Sequence, residues 1–391
     1  MAQTSLSQSQ LSARLVRYDE LTPSEVEQWR GLCDQRHDYQ SALLRPEFAS
    51  IMSSIRDDVR IALFERDDLL QGVLAVHLRP DGLARPLGAP FADYSGPVLS
   101  VEVNAPLDDL IQLAGIPAFS STSVVEAEPV VSMQTPERCP SSHITESHLI
   151  RPGDLSPEDF LESRRAAHAK RFKNFRRLAN QIERDAGKMK LEWGPVSGST
   201  LTEIFDLKSK QYRDSGLVDL TATTASRQVL DAVAASPYNF AIILRCGERL
   251  ISAHFGIKIG SEYHPWIAVF DPAYSAYSPG NLLLMKALIS LPEMGISTYD
   301  LANGHDHYKK YFANATRPTR SVFVTGSGMR AARHQLSDTV WRWLGANKED
   351  AAAGRLQRRL AQIATSEFGP ISRIREFGYA ILARSILKRR T

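Results

Sequence analysis

Apolar residues cluster in two short runs over residues 61–76, Ile61 to Phe64 and Leu69 to Val76, on either side of the polar stretch Arg66, Asp67 and Asp68. Short aliphatic runs around a polar turn predict a β-hairpin. A second segment, residues 242–257, has the same design and aligns with the first without a gap at an offset of 181 residues. Ile61 falls on Ile242, Leu63 on Leu244, Leu69 on Leu250 and Leu70 on Ile251. Helical spacing precedes both hairpins, in Val26, Trp29 and Leu32 and again in Leu201, Ile204, Phe205 and Lys208. An internal duplication explains this, each copy running helix, hairpin, further strands and helix; chance likeness of two apolar hairpins is the alternative.

Between the copies, residues 152–157 supply turn residues and an N-cap at Ser156, and one long helical pattern then runs to Asp185 and stops at Gly187. The boundary is placed near 150. After the second hairpin the pattern predicts a strand over 263–270, a turn-rich loop over 271–280, a helix over 281–291, a strand over 298–301 and a last strand over 321–325. Strands and helices alternating around antiparallel hairpins indicate an α/β or α+β sheet rather than a sandwich or bundle. The expected division is a flexible tail over 1–15, a first half over 16–150, a second half over 151–330 and a basic helical tail over 331–391.

Composition adds few constraints. With 391 residues, 43% apolar and 23% charged, the chain is long enough for two domains. Residues 1–14 have no apolar run after a basic start, and no stretch reaches the roughly 18 apolar residues of a membrane span. A cytoplasmic chain is expected, at most peripheral at the inner face of the membrane. Cys33, Cys139 and Cys246 are odd in number and lack CxxC spacing, which argues against disulfides or a zinc site. There is no Walker loop and no GxGxxG fingerprint. Charge is uneven: residues 351–391 carry +7 of a net +3, leaving −4 for the rest.

Chemistry concentrates late in the chain. Asp271, Tyr274, Tyr277, Ser278, Pro279, Gly280 and Leu282 open a helical pattern, and Asp300, Gly304, Tyr308 and Lys309 follow. In the first half, residues 85–97 include Gly88, Pro90, Asp93, Tyr94 and Gly96. In these positions the chain resembles the CelD/BcsL-type branch of the GNAT acyltransferases over residues 20–325. It is also similar to Fem-type peptidoglycan aminoacyltransferases, whose substrate-contacting basic helix looks like residues 164–187 here and whose catalytic loop looks like residues 308–312. The resemblance implies two tandem GNAT-like domains with mixed, largely antiparallel sheets.

It also implies a donor site for acetyl-CoA or another acyl-CoA at Ser278, Pro279, Gly280, Asn281 and Leu282, where a helix N-terminus presents backbone N–H groups to a pyrophosphate. The usual GNAT loop has Gln or Arg first and Gly fourth; here those positions are Ser275 and Ser278.

Acyl transfer needs a neutral nucleophile, donors for the oxyanion and an acid for the leaving thiolate. Asp300 at a strand end can orient or deprotonate an amine, Lys309 can stabilise an oxyanion or a phosphate, and Tyr308 can act as acid. His254 is a weaker candidate base, since a lone histidine between Ala253 and Phe255 in a strand is more often a satisfied core residue. Asp93 and Tyr94 are carried over as substrate contacts. His305 and His307 lack a further spaced ligand, so no metal is expected.

The helical pattern from Leu161 puts Phe172, Phe175, Leu178 and Ile182 on one face and many cations on the rest. Those cations form a solvated face, or else Arg171 and Arg176 grip the pyrophosphate of a nucleotide-sugar or lipid-linked glycan precursor. The basic tail can meet an anionic membrane or a cyclic dinucleotide. Three functions stay open: an acyl-CoA-dependent N-acyltransferase in exopolysaccharide or cell-envelope polysaccharide synthesis, an aminoacyltransferase using aminoacyl-tRNA, and a non-catalytic sensor of an anionic ligand.

Overall fold

The computed structural model describes residues 11–125, 144–215, 219–304 and 308–344, with a few positions between 354 and 360. Along the chain come β1 (Ser12–Val16), α1 (Pro23–Asp34), α2 (Pro46–Ile55), β2 (Val59–Arg66), β3 (Leu69–Leu78), β4 (Leu83–Pro86), β5 (Val98–Leu99), α3 (Leu107–Leu113) and β6 (Ala118–Val125). There follow β7 (Ile144–Ile150), α4 (Pro157–Ala167), α5 (Ala169–Ala186), β8 (Met189–Gly194), α6 (Gly198–Asp214), α7 (Thr224–Ala235), β9 (Asn239–Cys246), β10 (Arg249–Ile259) and β11 (Glu262–Phe270). The described elements close with α8 (Pro279–Ser290), β12 (Thr298–Asp300), α9 (Lys309–Phe312), β13 (Ala315–Thr325) and α10 (Met329–Trp343). They fall into two compact units, one drawn from within Met1–Thr145 and Pro318–Arg359, the other from within Glu146–Arg317 and Leu360–Thr391.

In the first unit the strands run β1-β2-β3-β4-β6-β13. The hairpin of β2 and β3 turns at Asp67 and Asp68, both at positive φ, a conformation that short side chains bonding their own backbone tolerate. Helix α1 starts where Thr22 caps it and Glu25 closes the capping box, with Pro23 at its first position. Its spacing of Trp29, Leu32 and Cys33 buries one face. Cys33 is a free thiol, and burial pushes its pKa up to about 12, so it stays protonated.

The second unit has the order β7-β12-β11-β10-β9-β8. Its hairpin of β9 and β10 turns at Gly247, again at positive φ. The two orders correspond strand for strand, including a parallel strand pair in each, β4 with β6 and β11 with β12. The aligned Ile61 and Ile242 are both fully buried, as are Leu63 and Leu244. One detail departs from simple tandem order. Strand β7 follows the first half yet pairs with β12, and β13 follows the second half yet pairs with β6. The strand expected over 321–325 is therefore longer than its apolar stretch and, from Pro318 on, belongs to the first unit.

The long helix expected up to Asp185 is two helices. His168 leaves helical geometry at φ −136°, its ring packs edge-on against Tyr311 at 5.2 Å, and Arg164 donates to the carbonyls of Lys310 and Tyr311. These partners far along the chain end α4 and start α5. Below them, α8 is apolar nearly all round, burying Leu282, Leu283, Leu284, Ala287 and Leu288, each burial of a leucine contributing about 1.5–3 kcal/mol. Among the described residues no helix is long and apolar enough to cross a membrane. Most of the basic tail lies outside the described residues, as do Cys139 and His305 to His307.

Candidate active site

Strands β11 and β12 pair in parallel for two positions, Glu262 with Thr298 and Tyr263 with Tyr299. Beyond them β11 continues to Phe270 while β12 ends at Asp300, so among the described residues the later part of β11 has no ladder partner on that side. On its other side β11 pairs with β10, whose register shifts between Phe255 and Gly256. Gly256 is required there, since a Cβ would lie 2.1 Å from the carbonyl oxygen of His264.

The chain leaves β11 through a tight turn over Pro272–Tyr277, in which the Asp271 side chain accepts from the N–H of Ala273. Ser278 then adopts the left-handed conformation, φ 53°, and Pro279 opens α8. Tyr277 donates to Asp185 at 2.7 Å, and Arg249 donates to Tyr274 at 3.3 Å. The two tyrosines thus fix the turn that aims the helix N-terminus. Gly280 faces open space, with nothing within 4 Å of where a Cβ would stand.

Two clefts meet at this helix start. The first, about 460 Å³, is lined by Lys208, Ser252, His254, Ser275, Gly280 and Tyr308, among others. The second, about 470 Å³, is lined by Arg171, Asn174, Phe175, Lys310 and Tyr311. Ser278, Asn281 and Tyr308 line both. The Asn281 side-chain oxygen is shielded from solvent and has no hydrogen-bond partner among the described residues, which leaves an acceptor site open.

His254 is buried, and its Nδ1 is hydrogen-bonded to the hydroxyl of Tyr299. Burial, followed by the charges of Lys208 and Lys309, lowers the imidazole to about pKa 3. It is neutral throughout the physiological range. Burial raises Tyr299 well above its usual value, so that phenol keeps its proton. A protonated phenol donating into Nδ1 leaves the ring's own N–H on Nε2. With the Tyr299 hydroxyl accepting instead, Nδ1 carries the proton and Nε2 is the bare nitrogen of a base.

Asp300 is fully buried and lines neither cleft. One oxygen accepts from the N–H of Ala302 at 2.7 Å, and the other lies 3.1 Å from Arg317 and 3.4 Å from His264. Arg317 also forks onto Glu262 at 3.0 and 2.8 Å. Lys309 is 5% exposed, donates to the carbonyl of Asn303 at 2.5 Å and lines neither cleft. Leu282 faces the core, and its N–H is already bonded to Ser278. Arg176 is exposed outside both cleft linings. Asp93 and Tyr94 belong to the first unit, where the Tyr94 ring is 1% exposed among Trp29, Leu43 and Leu87.

Of the sequence candidates, then, Ser278, Pro279, Gly280, Asn281, His254, Tyr308 and Arg171 line the clefts. Lys310 and Tyr311, from the stretch 308–312 likened to a catalytic loop, join them, and Lys208 and Ser252 do so unforeseen. Lys208 had a signal, as the one cation in the stripe Leu201, Ile204, Phe205 and Lys208; its ammonium donates to the carbonyl of Ala268 at 3.2 Å. Among the described residues no group of three or more His, Cys, Asp or Glu could hold a metal ion.

Residues 169–310 match the family described as Acetyltransferase (GNAT) domain. Among solved structures, FemX is similar over 81% of this chain and 98% of its own, at 11% identity and a TM-score of 0.53. The C-terminal domain of a putative lysylphosphatidylglycerol synthetase from Agrobacterium fabrum is similar over 81% and 96%, at 14% identity and a TM-score of 0.43. A tandem GNAT protein from the clavulanic acid biosynthesis pathway is similar over 82% and 100%, at 11% identity and a TM-score of 0.46. No curated protein matches the chain in sequence. The matched segment is a GNAT-type acyltransferase domain, and the likeness to FemX is one of fold.

Proposed function

We propose that the second unit is an acyl-CoA-dependent N-acyltransferase, acetyl-CoA being the simplest donor, and that its acceptor is a nucleotide- or lipid-linked sugar precursor of a cell-envelope polysaccharide. The observation that carries the donor assignment is the cleft where the open edge of β11 meets the N-terminus of α8. An unpaired strand edge offers main-chain groups to the amides of a pantetheine arm; at the start of α8 the N–H groups of Ser278, Asn281 and Leu282 are already bonded to Ser275 and Ser278 and Pro279 has none, so the Gly280 N–H and the helix dipole are left to meet a pyrophosphate.

Within this reading His254 supplies an N–H to the oxyanion that develops as the acceptor nitrogen attacks the thioester carbonyl. The C–N bond forms and the C–S bond breaks. Tyr308 gives its proton to the leaving thiolate and regains one from the acylated nitrogen, so the proton count closes. Asp300 and Lys309 act at one remove: Asp300 holds β12 against Arg317, and Lys309 holds the backbone at Asn303 and helps keep His254 neutral.

Isothermal titration of acetyl-CoA into the wild type and into Gly280→Glu tests the donor site. Binding by the wild type that the glutamate abolishes is expected; a folded wild type that takes up no acetyl-CoA would sink the reading. The exposed cations of α5, Lys170, Arg171, Lys173, Arg176 and Arg177, favour the second reading, an aminoacyltransferase fed by aminoacyl-tRNA. Its signature is salt-sensitive tRNA binding without acetyl-CoA binding.

A further inference from the structure

The first cleft carries a fixed charge that the donor assignment does not use. Lys208, on α6, is half-buried, and three neighbours hold its ammonium. It donates to the carbonyl of Ala268 at 3.2 Å and to the side-chain oxygen of Gln211 at 3.4 Å, and it lies 4.9 Å from the centroid of the Tyr212 ring. A lysine tethered in this way has given up much of the freedom of its four-carbon stem before any ligand arrives. Its charge reaches His254, where it is the next cause, after burial, of the low pKa. Among the described residues no carboxylate lines this cleft. Phe270, at the end of β11, lines it too and is 37% exposed, so an apolar face stands open in the same cleft as the cation.

These groups set terms for the acceptor. An amine in water is in large part an ammonium, and a cleft with a fixed cation and no carboxylate repels it. An acceptor that carries a carboxylate on the same small molecule is drawn in by Lys208. The same positive charge then favours the uncharged form of the amine, which is the form that attacks a thioester. We infer that Lys208 selects an acidic acceptor: the sugar that receives the acyl group bears a carboxylate, which Lys208 binds, while the ring of that sugar packs on Phe270. The inference rests on the acyltransferase reading and narrows its acceptor to an amino sugar acid.

The test titrates two free sugars, glucosamine and glucosaminuronic acid, which differ only in that a carboxylate replaces the hydroxymethyl group. Each is titrated by calorimetry into wild type, Lys208→Met and Lys208→Arg, with coenzyme A present and absent, and thermal unfolding curves check that the variants fold. Wild type is expected to bind the acid at least tenfold more tightly than glucosamine. Lys208→Met, which keeps the length of the side chain without its charge, should bring the two sugars within about twofold of each other. Lys208→Arg, which keeps the charge, should retain most of the preference. Wild type that binds both sugars equally, or neither, overturns the inference, and so does a folded Lys208→Met that still prefers the acid. Because the sugars are also titrated without coenzyme A, a wild type that takes up no coenzyme A removes the donor assignment and leaves this comparison to be read by itself.

Discussion

Arg317 meets Glu262 through both terminal nitrogens, at 3.0 and 2.8 Å, where the two side chains are 1% and 3% exposed. Asp300 completes the group at the point where β11 and β12 stop pairing, so this buried cluster pins the closed end of the opening that forms the first cleft.

Removing one member of such a buried pair strands the other without a partner. Arg317→Ala is expected to cost about 3–5 kcal/mol, read as a lower urea midpoint at unchanged slope. A midpoint within error of wild type would show that the cluster is dispensable.

Gly256→Ala places a methyl against the backbone of His264 and Pro265, at 2.1 and 2.6 Å, where no flexible side chain can give way. The expected loss is on the order of 1–3 kcal/mol or more. It should be accompanied by weaker acetyl-CoA binding, because β11 must shift. Gly280→Ala, facing open space, should leave stability near that of wild type in the same denaturation series.

Two buried imidazoles set a pH dependence. Folding holds His254 at about 3 and His77 at about 4 against an ordinary value of 6.5, burial being the first cause in both. Below 6.5 the unfolded chain therefore binds protons that the folded chain refuses. Stability contributed by these groups is intact above pH 6.5 and is lost as pH falls from there towards 4, by up to about 1.4 kcal/mol per pH unit for each. Denaturant midpoints taken at pH 7.5 and 5.5 should fall for wild type and fall less for His254→Gln.

Catalysis should track Tyr308 and His254 separately. Tyr308→Phe is expected to lower kcat on the order of 100-fold with little change in KM for acetyl-CoA, the mark of a group used in the transition state. His254→Gln, which keeps an N–H donor, should retain more activity than His254→Ala. Equal loss in the two would argue for a base instead.

The hairpins were legible because short apolar runs around a polar turn are a local signal, and the repeat at 181 residues anticipated the matching strand orders. The helix start at Pro279 was legible for a similar reason: Ser278, Pro279 and the leucines after it are local signals. What decides the rest is long-range. His168 breaks a good helical pattern because Tyr311 and the carbonyls beside it are there to receive it and Arg164. Arg317 and Glu262 lie just outside the strands expected over 321–325 and 263–270, and only their mutual pairing explains their burial. Asp300 drew attention as a carboxylate at a strand end, and its burial against Arg317 and the N–H of Ala302 could not be read from that position. Lys310 was overshadowed by its neighbour Lys309, and a short helix turns the two side chains to opposite fates.

The crossed placement of β7 and β13 bears on how the chain is made. The sheet of the first unit ends at β6, and the strand that covers that edge, Pro318–Thr325, is translated only after nearly all of the second unit. As the ribosome works through the second half, β6 presents unpaired main-chain groups, the kind of edge that invites wrong partners. Neither half is a finished product on its own. Completion of the first unit's sheet waits for Pro318–Thr325 to emerge.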